Sequence, residues 1–286
     1  MNRLDPVLVR GLAAIEPYLD VVVVAGGWVP HIYELLYDAT TAGRSPRTRD
    51  IDLAVPRSVP VRSQSIDELL KGADFRCEFH SLDSPPVTKY IATQGDDDIE
   101  IEFITDAPGS SEAAVMVQPD LTAQELHYVG LMLDSPWPVD LAGLTDGEVE
   151  LTILVPRPGA FVFHKSLVFK NRRNRLKAEK DLYYIFFTLD TFPEWRRSID
   201  AELKRLAAQK PAWFKKSLKN LRGMFHGAES SGADALLNQK PPTAFPGLGD
   251  EQFRNYAFSV MSGLMETMES AIDRLNRPGF PGDSIV

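Results

Sequence analysis

Residues 26–55 read GGWVPHIYELLYDATTAGRSPRTRDIDLAV. The stretch opens on a Gly-Gly turn and continues as a helix-like run. It then passes through a polar loop carrying Arg44, Arg47 and Arg49, and ends in Asp50-Ile51-Asp52-Leu53-Ala54-Val55. Side chains alternate between the faces of a β-strand, so Asp50 and Asp52 share one face, roughly 6–7 Å apart at their Cα atoms. Ile51, Leu53 and Val55 point the other way and can enter a core. The paired glycines either end a strand or let backbone N–H groups approach an anion where any Cβ would intrude.

Outward from this stretch, Leu4, Leu8, Leu12, Ile15 and Leu19 recur at helical spacing, with Pro6 in the first turn. VVVVA at 21–25 is a β-branched run that reads as a buried strand. Val29 to Tyr37 reads as a helix that tolerates Pro30 in its first turn, and Asp38 to Arg49 as a loop. A short helix is expected at Ile66 to Leu70, with strands near 75–80 and 87–94. DIEIEFIT at 98–105 alternates, with Ile99, Ile101 and Phe103 on one face and Glu100 and Glu102 on the other. Further strand-like pieces occupy 127–133 and 148–155.

After Pro156 and Pro158 the pattern turns helical. PGAFVFHKSLVFKNR, KAEKDLYYIFFTLD, EWRRSIDAELKRLAA and PAWFKKSLKNLRGMF read as successive helices, 227–248 as a loop, and 250–274 as a final helix. The expected architecture is an α/β domain over 1–156, a mixed sheet with flanking helices, followed by a helical domain over 157–286.

The 286 residues can bury a substantial core. No apolar run approaches the roughly 20 residues that span a bilayer, and MNRLDPVLVRG lacks a signal-peptide core. A cytoplasmic location with no membrane partner is the expectation. The single cysteine, Cys77 in FRCEFH, excludes an internal disulfide and a thiolate metal cluster, and reads as a small buried strand residue. A net charge of −9 argues against broad, charge-driven nucleic-acid binding. A local exception is the basic run from Lys165 to Lys180, which reads first as a solvated surface.

Paired carboxylates just downstream of a Gly-rich turn suit Mg²⁺-dependent phosphoryl or nucleotidyl transfer, because magnesium takes hard oxygen ligands and few carboxylates. The order Gly26-Gly27, helix, Asp50-Ile51-Asp52 resembles the signature of the DNA polymerase β superfamily of nucleotidyltransferases. GRSPRTRDIDLAV resembles, more narrowly, the standalone nucleotidyltransferase-fold proteins related to abortive-infection and toxin–antitoxin toxins, in which an Arg-Thr pair often precedes Asp-x-Asp. The likeness covers roughly residues 20–190, and Trp28 stands where the wider superfamily has a small polar residue.

This resemblance implies a nucleotidyltransferase fold, an NTP substrate, and Mg²⁺, or Mn²⁺ in its place, held by Asp50, Asp52 and a third acid. Glu102 is the candidate third acid and Glu100, on the same face, the reserve. Gly26, Gly27, Arg47 and Thr48 would then serve the nucleotide. HKSLVFKNRRNRLKAEKDLYYI resembles the helix pair that completes the site in the related toxins, which gives Lys165, Lys180 and Asp181 nucleotide contacts. The acceptor would be tRNA, a protein side chain or a small metabolite, and a cognate antitoxin is a partner the resemblance suggests.

Plainer readings stand beside these. Glu100 and Glu102 fit a solvated strand face, Arg47 and Arg49 can pair with the adjacent acids, and Thr48 can bond within its loop. Lys165 can snorkel at a helix edge, and Asp181 can pair locally with Lys177 or Arg175. Tyr183, Tyr184, Phe186 and Phe187 read as helix core, and neither His31 nor His164 carries a role. The competing functional class is a non-catalytic nucleotidyltransferase-fold module that binds nucleotide or protein.

Overall fold

The structure, a computed structural model, describes residues 4, 6–36, 48, 50–81, 84–94, 97–109, 113–142 and 150–276. The chain divides into two compact units, Met1–Arg157 and Pro158–Val286.

The first unit runs α1 (Pro6–Ala14), β1 (Val23–Val24), α2 (Trp28–Leu36), β2 (Asp50–Ala54), α3 (Ile66–Gly72), β3 (Arg76–Ser81), β4 (Ser84–Gln94), β5 (Asp97–Asp106), β6 (Ala114–Gln118), β7 (Leu121–Leu126), α4 (Gly130–Leu133), β8 (Trp137–Asp140) and β9 (Thr152–Val155). The described strands form a nine-stranded mixed sheet in the order β3-β4-β5-β2-β1-β9-β8, with the β6–β7 hairpin attached to β5. β2 lies parallel to β5, and β1 antiparallel to β2 and parallel to β9. β4 pairs antiparallel with residues 97–101 of β5, and β7 pairs parallel with 104–106. Both lie on the edge of β5 that β2 leaves free, one after the other.

Alternation decides which face is covered. Ile51, Leu53, Ile99, Ile101 and Phe103 are buried, each contributing about 1.5–3 kcal/mol of hydrophobic stabilisation. α1 lies on this face, and Gly11 lets it come close. A Cβ at position 11 would sit 3.0 Å from Ile101 Cδ1 and 3.1 Å from Ile51 Cδ1. α3 begins with a capping box in which Ser65 Oγ accepts from Glu68 N–H and the Glu68 carboxylate accepts from Ser65 N–H at 2.7 Å. The opposite face changes character along its length. Beyond Asp52 and Glu102 it becomes apolar, and Ala54 and Ile104 pack with Val23, Ala25, Val129 and Met132.

The second unit comprises α5 (Pro158–Val168), α6 (Arg175–Thr191), α7 (Arg196–Gln209), α8 (Pro211–Arg222), α9 (Ser231–Gln239) and α10 (Asp250–Leu275). α5 is buried from Pro158 to Leu167 and packs against α6, α7 and α8. A helix apolar nearly all round belongs in an interior, and Ser166 within it is hydrogen-bonded. Ser166 Oγ donates to Phe163 O at 2.6 Å, and Asn220 Nδ2 donates to Ser166 O at 3.2 Å. Phe186 meets Phe253 edge-on at 5.7 Å, with Phe245 and Tyr256 completing the aromatic cluster.

Four expectations are corrected. Residues 127–133 hold the short helix α4 and no strand, while β6, β7 and β8 are strands that the pattern did not mark. The 227–248 segment contains α9, in which Gly232 meets Met224 O and the Phe225 ring at a distance no Cβ would allow. Cys77 is exposed, because β3 is the outer strand of the sheet. The VVVVA strand is confined to Val23–Val24, although Val22 and Ala25 are also buried. The predicted loop from Asp38 to Arg49, Thr48 apart, lies outside the described residues.

His164, buried in α5, has no hydrogen-bond partner for Nδ1 among the described residues. Burial first, and then the neighbouring Lys165 ammonium, pull its pKa down to about 3. In the unfolded chain the same imidazole protonates near 6.5. The unfolded state therefore binds more protons below that pH, and stability falls as pH drops from about 6.5 towards 3. At pH 5 this amounts to about 2 kcal/mol. Urea melts of the wild type and of His164→Gln at pH 7.5 and pH 5 check it, with the variant expected to lose less stability over that interval.

Candidate functional site

The parallel register of β2 and β5 sets Asp50 beside Glu100 and Asp52 beside Glu102. Paired residues on neighbouring strands point to the same face, so all these carboxylates stand on the side of the sheet away from α1. They occupy its half-buried part, just before the apolar patch at Ala54 and Ile104.

Above Asp52 sits the Gly26–Gly27 turn between β1 and α2. Ala25 N–H donates to Asp52 O at 2.8 Å, locking the two segments together. Gly26 has φ +65°. A Cβ there would lie 1.8 Å from Asp52 Oδ2, so the carboxylate occupies the space a side chain would need. Glycine is required at this position twice over, by its dihedral and by that contact. Trp28 opens α2 as a buried residue packed edge-on against His31, and its indole N–H has no hydrogen-bond partner among the described residues.

The sequence reading missed Lys89. This residue lies on β4, where Tyr90 pairs with Ile101 and so places Lys89 opposite Glu102. Its Nζ is 3.0 Å from Glu102 Oε1 and also donates to Glu100 Oε2. Lys89 and Glu102 are 19% and 16% exposed at their side chains. Burial first, then the nearby Asp52 carboxylate, push the Glu102 carboxyl up to about 7, against the lowering effect of Lys89. For Lys89, burial works against the ammonium, but the hydrogen bonds to Glu100 and Glu102 outweigh it and raise its pKa above the usual lysine range.

Among the described residues, no group of three or more His, Cys, Asp and Glu side chains converges as it stands on a point that could hold a metal ion. The donor set nevertheless fits a divalent cation in type. It consists of hard carboxylate oxygens from adjacent strands, with Asp52 seated beneath Gly26. Asp50 and Asp52 are the two β2 carboxylates on this face. The Glu102 oxygens face Lys89.

Of the remaining sequence candidates, Arg47 lies outside the described residues, and Thr48 is half-buried, two residues before Asp50. Lys165, Lys180 and Asp181 belong to the second unit. Lys165 is only 3% exposed, and its Nζ donates to Asp181 Oδ1 at 2.7 Å. Arg172 Nε donates to the other oxygen, Asp181 Oδ2, at 2.7 Å. Burial alone would raise the Asp181 carboxyl, but Lys165 and Arg172 prevail and hold it below the ordinary carboxylate range. Lys165 Nζ also lies 5.4 Å from the ring centroids of Phe161 and Tyr184, while half-buried Lys180 stands 5.7 Å from Tyr184.

The family model described as "Nucleotidyltransferase" matches residues 7–207. That span covers the whole acid face and continues through α5 and α6 into α7. No curated protein matches the chain. A solved structure similar to it is that of an antigenic nucleotidyltransferase-like protein from Paracoccidioides brasiliensis, at 16% identity over 75% of this chain and 92% of that one, with a TM-score of 0.38.

Two outcomes follow from this geometry. Gly26→Ala should displace the Asp52 carboxylate and cost about 1–3 kcal/mol through the left-handed backbone. A thermal melt, together with nuclear magnetic resonance of labelled aspartate, would register both effects. Lys165→Ala should leave the buried Asp181 carboxylate to Arg172 alone of its two ion-pair partners and cost about 3–5 kcal/mol. The double change Lys165→Met with Asp181→Leu should recover most of that loss in the same urea titration.

Proposed function

The chain belongs to the nucleotidyltransferase family, and on that premise we propose that the acid face of β2 and β5 transfers a nucleotidyl group from an NTP to an acceptor hydroxyl. The family implies transferase activity and an NTP substrate. The observation that carries the reading further is the register placing Asp50 and Asp52 beside Glu100 and Glu102, with Gly26 closed over Asp52.

In this reading Asp50 and Asp52 hold Mg²⁺, or Mn²⁺ in its place, and Glu102 is the third oxygen donor. When bound, the cation neutralises phosphate charge and polarises the reacting phosphoryl group. The backbone N–H groups of the Gly26–Gly27 turn bind phosphate oxygens at a position without a Cβ. The Glu102 carboxylate is suited to take the acceptor's hydroxyl proton. The acceptor oxygen then bonds to the α-phosphorus, the bond from that phosphorus to the β-phosphate oxygen breaks, and pyrophosphate leaves. The acceptor hydroxyl belongs to tRNA, a protein or a small metabolite. The toxin-like resemblance of GRSPRTRDIDLAV supports tRNA or protein, while a net charge of −9 weighs against tRNA.

A second reading draws on the Lys89 contacts. Because Lys89 already offsets part of the charge of Glu100 and Glu102 from within the fold, the same face also suits a module that binds nucleotide or protein without transfer.

Pyrophosphate release separates the two readings. Wild-type protein with each α-labelled NTP, Mg²⁺ and a cell extract should release pyrophosphate and label one acceptor class. Asp50→Ala and Asp52→Ala should each lower that rate by about 100-fold or more, because metal-aided charge stabilisation supplies several kcal/mol. Glu102→Gln should be nearly inactive and Glu100→Gln mild. Release at the wild-type rate from either aspartate variant would refute the assignment. No release from the wild type with any NTP would establish the binding module instead.

A further inference from the structure

We propose that Lys89 is a built-in counter-ion seated at the third-acid end of the site, which a divalent cation has to displace, so that Lys89 sets how tightly the chain takes up metal. The proposal rests on the nucleotidyl-transfer reading of the acid face. Asp50, Asp52, Glu100 and Glu102 are gathered by the β2–β5 register onto one half-buried surface. Carboxylates so close repel one another, and the repulsion grows as solvent is excluded. Lys89 answers it from the next strand, with Nζ 3.0 Å from Glu102 Oε1 and bonded to Glu100.

The backbone around Lys89 is fixed by its neighbour. Tyr90, the next residue, is fully buried and donates from its hydroxyl to Asp67 Oδ1 at 2.9 Å, tying β4 to α3. Lys89 itself ends in a compact ammonium on a flexible four-carbon stem. The stem can swing off Glu102 without any movement of the strand. An ammonium and a divalent cation cannot both be liganded by the same carboxylate oxygens without mutual repulsion. Uptake of metal by Asp50, Asp52 and Glu102 is thereby coupled to release of Lys89. Lys89 acts through Glu102 and is a positioning residue.

The test is Mn²⁺ binding to the full chain, followed by electron paramagnetic resonance of free ion and by metal-induced thermal shift. Lys89→Met and Lys89→Gln should bind Mn²⁺ about tenfold tighter than wild type, since removal of a like charge beside the ion favours it. Lys89→Arg should bind as weakly as wild type. A lysine that merely braced the sheet would give the opposite sign, with binding unchanged or weaker once it is lost. If the neutral variants fold only when Mn²⁺ is present, the metal has taken the place of the ammonium and the proposal stands. If they stay unfolded in saturating Mn²⁺, Lys89 is a structural brace and the proposal falls. Asp52→Asn in each background separates this from the broader reading. When Mn²⁺ binds through Asp52 but the Lys89 variants match wild type, the Lys89 proposal alone is overturned. When neither wild type nor the neutral variants bind Mn²⁺, the metal-dependent reading falls with it.

Discussion

The parallel pairing of β2 with β5 is the constraint on which the rest of the first unit depends. It runs residue against residue from Asp50 opposite Glu100 to Ala54 opposite Ile104. A slip of one position would carry Asp50 and Asp52 into the space beneath α1 and push Ile51 and Leu53 into water. Gly11 makes that slip costlier still, because it brings α1 within van der Waals contact of Ile51 and Ile101. The apolar face therefore holds the register, and the register aligns the acids. The grouping of carboxylates is a consequence of burying isoleucines on the other side of the same strands.

Much of this could be read along the chain because period-two alternation is a local signal. DIDLAV and DIEIEFIT each announce an acidic face and an apolar face, and the structure has Ile51, Ile99 and Ile101 fully buried with Glu100 and Glu102 half-exposed. What escaped depends on pairing. Lys89 sits in a segment with no acidic neighbour in sequence, and it meets Glu102 only because β4 folds back antiparallel on β5. Cys77 was expected inside from the apolar look of FRCEFH, yet an outer strand has no neighbour on one side to cover it. In α9 the Gly and Ser content suggested a loop, whereas Gly232 is there to admit the Phe225 ring. The close fit of Gly26 over Asp52 was foreshadowed only as backbone freedom. That Asp52 itself would fill the missing side-chain space is a tertiary fact.

The helical unit shows the same limit from the other side. The basic run from Lys165 to Lys180 looks like a solvated surface when charges are counted along the sequence. Folding separates its members: Lys165 goes into the core against Asp181, Arg172 closes the pair from its rim, and Arg175 bonds Glu179 on α6 itself. α5 is otherwise buried throughout, so a lysine at this position is tolerated only because its partner carboxylate arrives from α6. Removing Lys165 leaves the buried Asp181 carboxylate to Arg172 alone of its two ion-pair partners, and removing Asp181 leaves the Lys165 ammonium buried without its carboxylate; either change costs more than the intact pair contributes.

Lys89 and Lys165 thus answer one electrostatic problem in two ways. Lys165 and Asp181 are each 4% exposed at the side chain, and the pair is further closed by Arg172 and two aromatic rings. There the Asp181 carboxylate is fully offset by two cations. Lys89 and Glu102 are about four times more exposed, at 19% and 16%, and they stand beside acids whose combined charge one ammonium does not neutralise. An ion pair that is both accessible and left with surplus negative charge can exchange its cation, because the incoming ion meets attraction that the lysine has not cancelled. The first pair is fixed by its burial; the second is held in place with its charge unfinished. On this physical ground the acid face of β2 and β5, rather than the more conspicuous basic run, keeps the surplus charge that a further cation would meet.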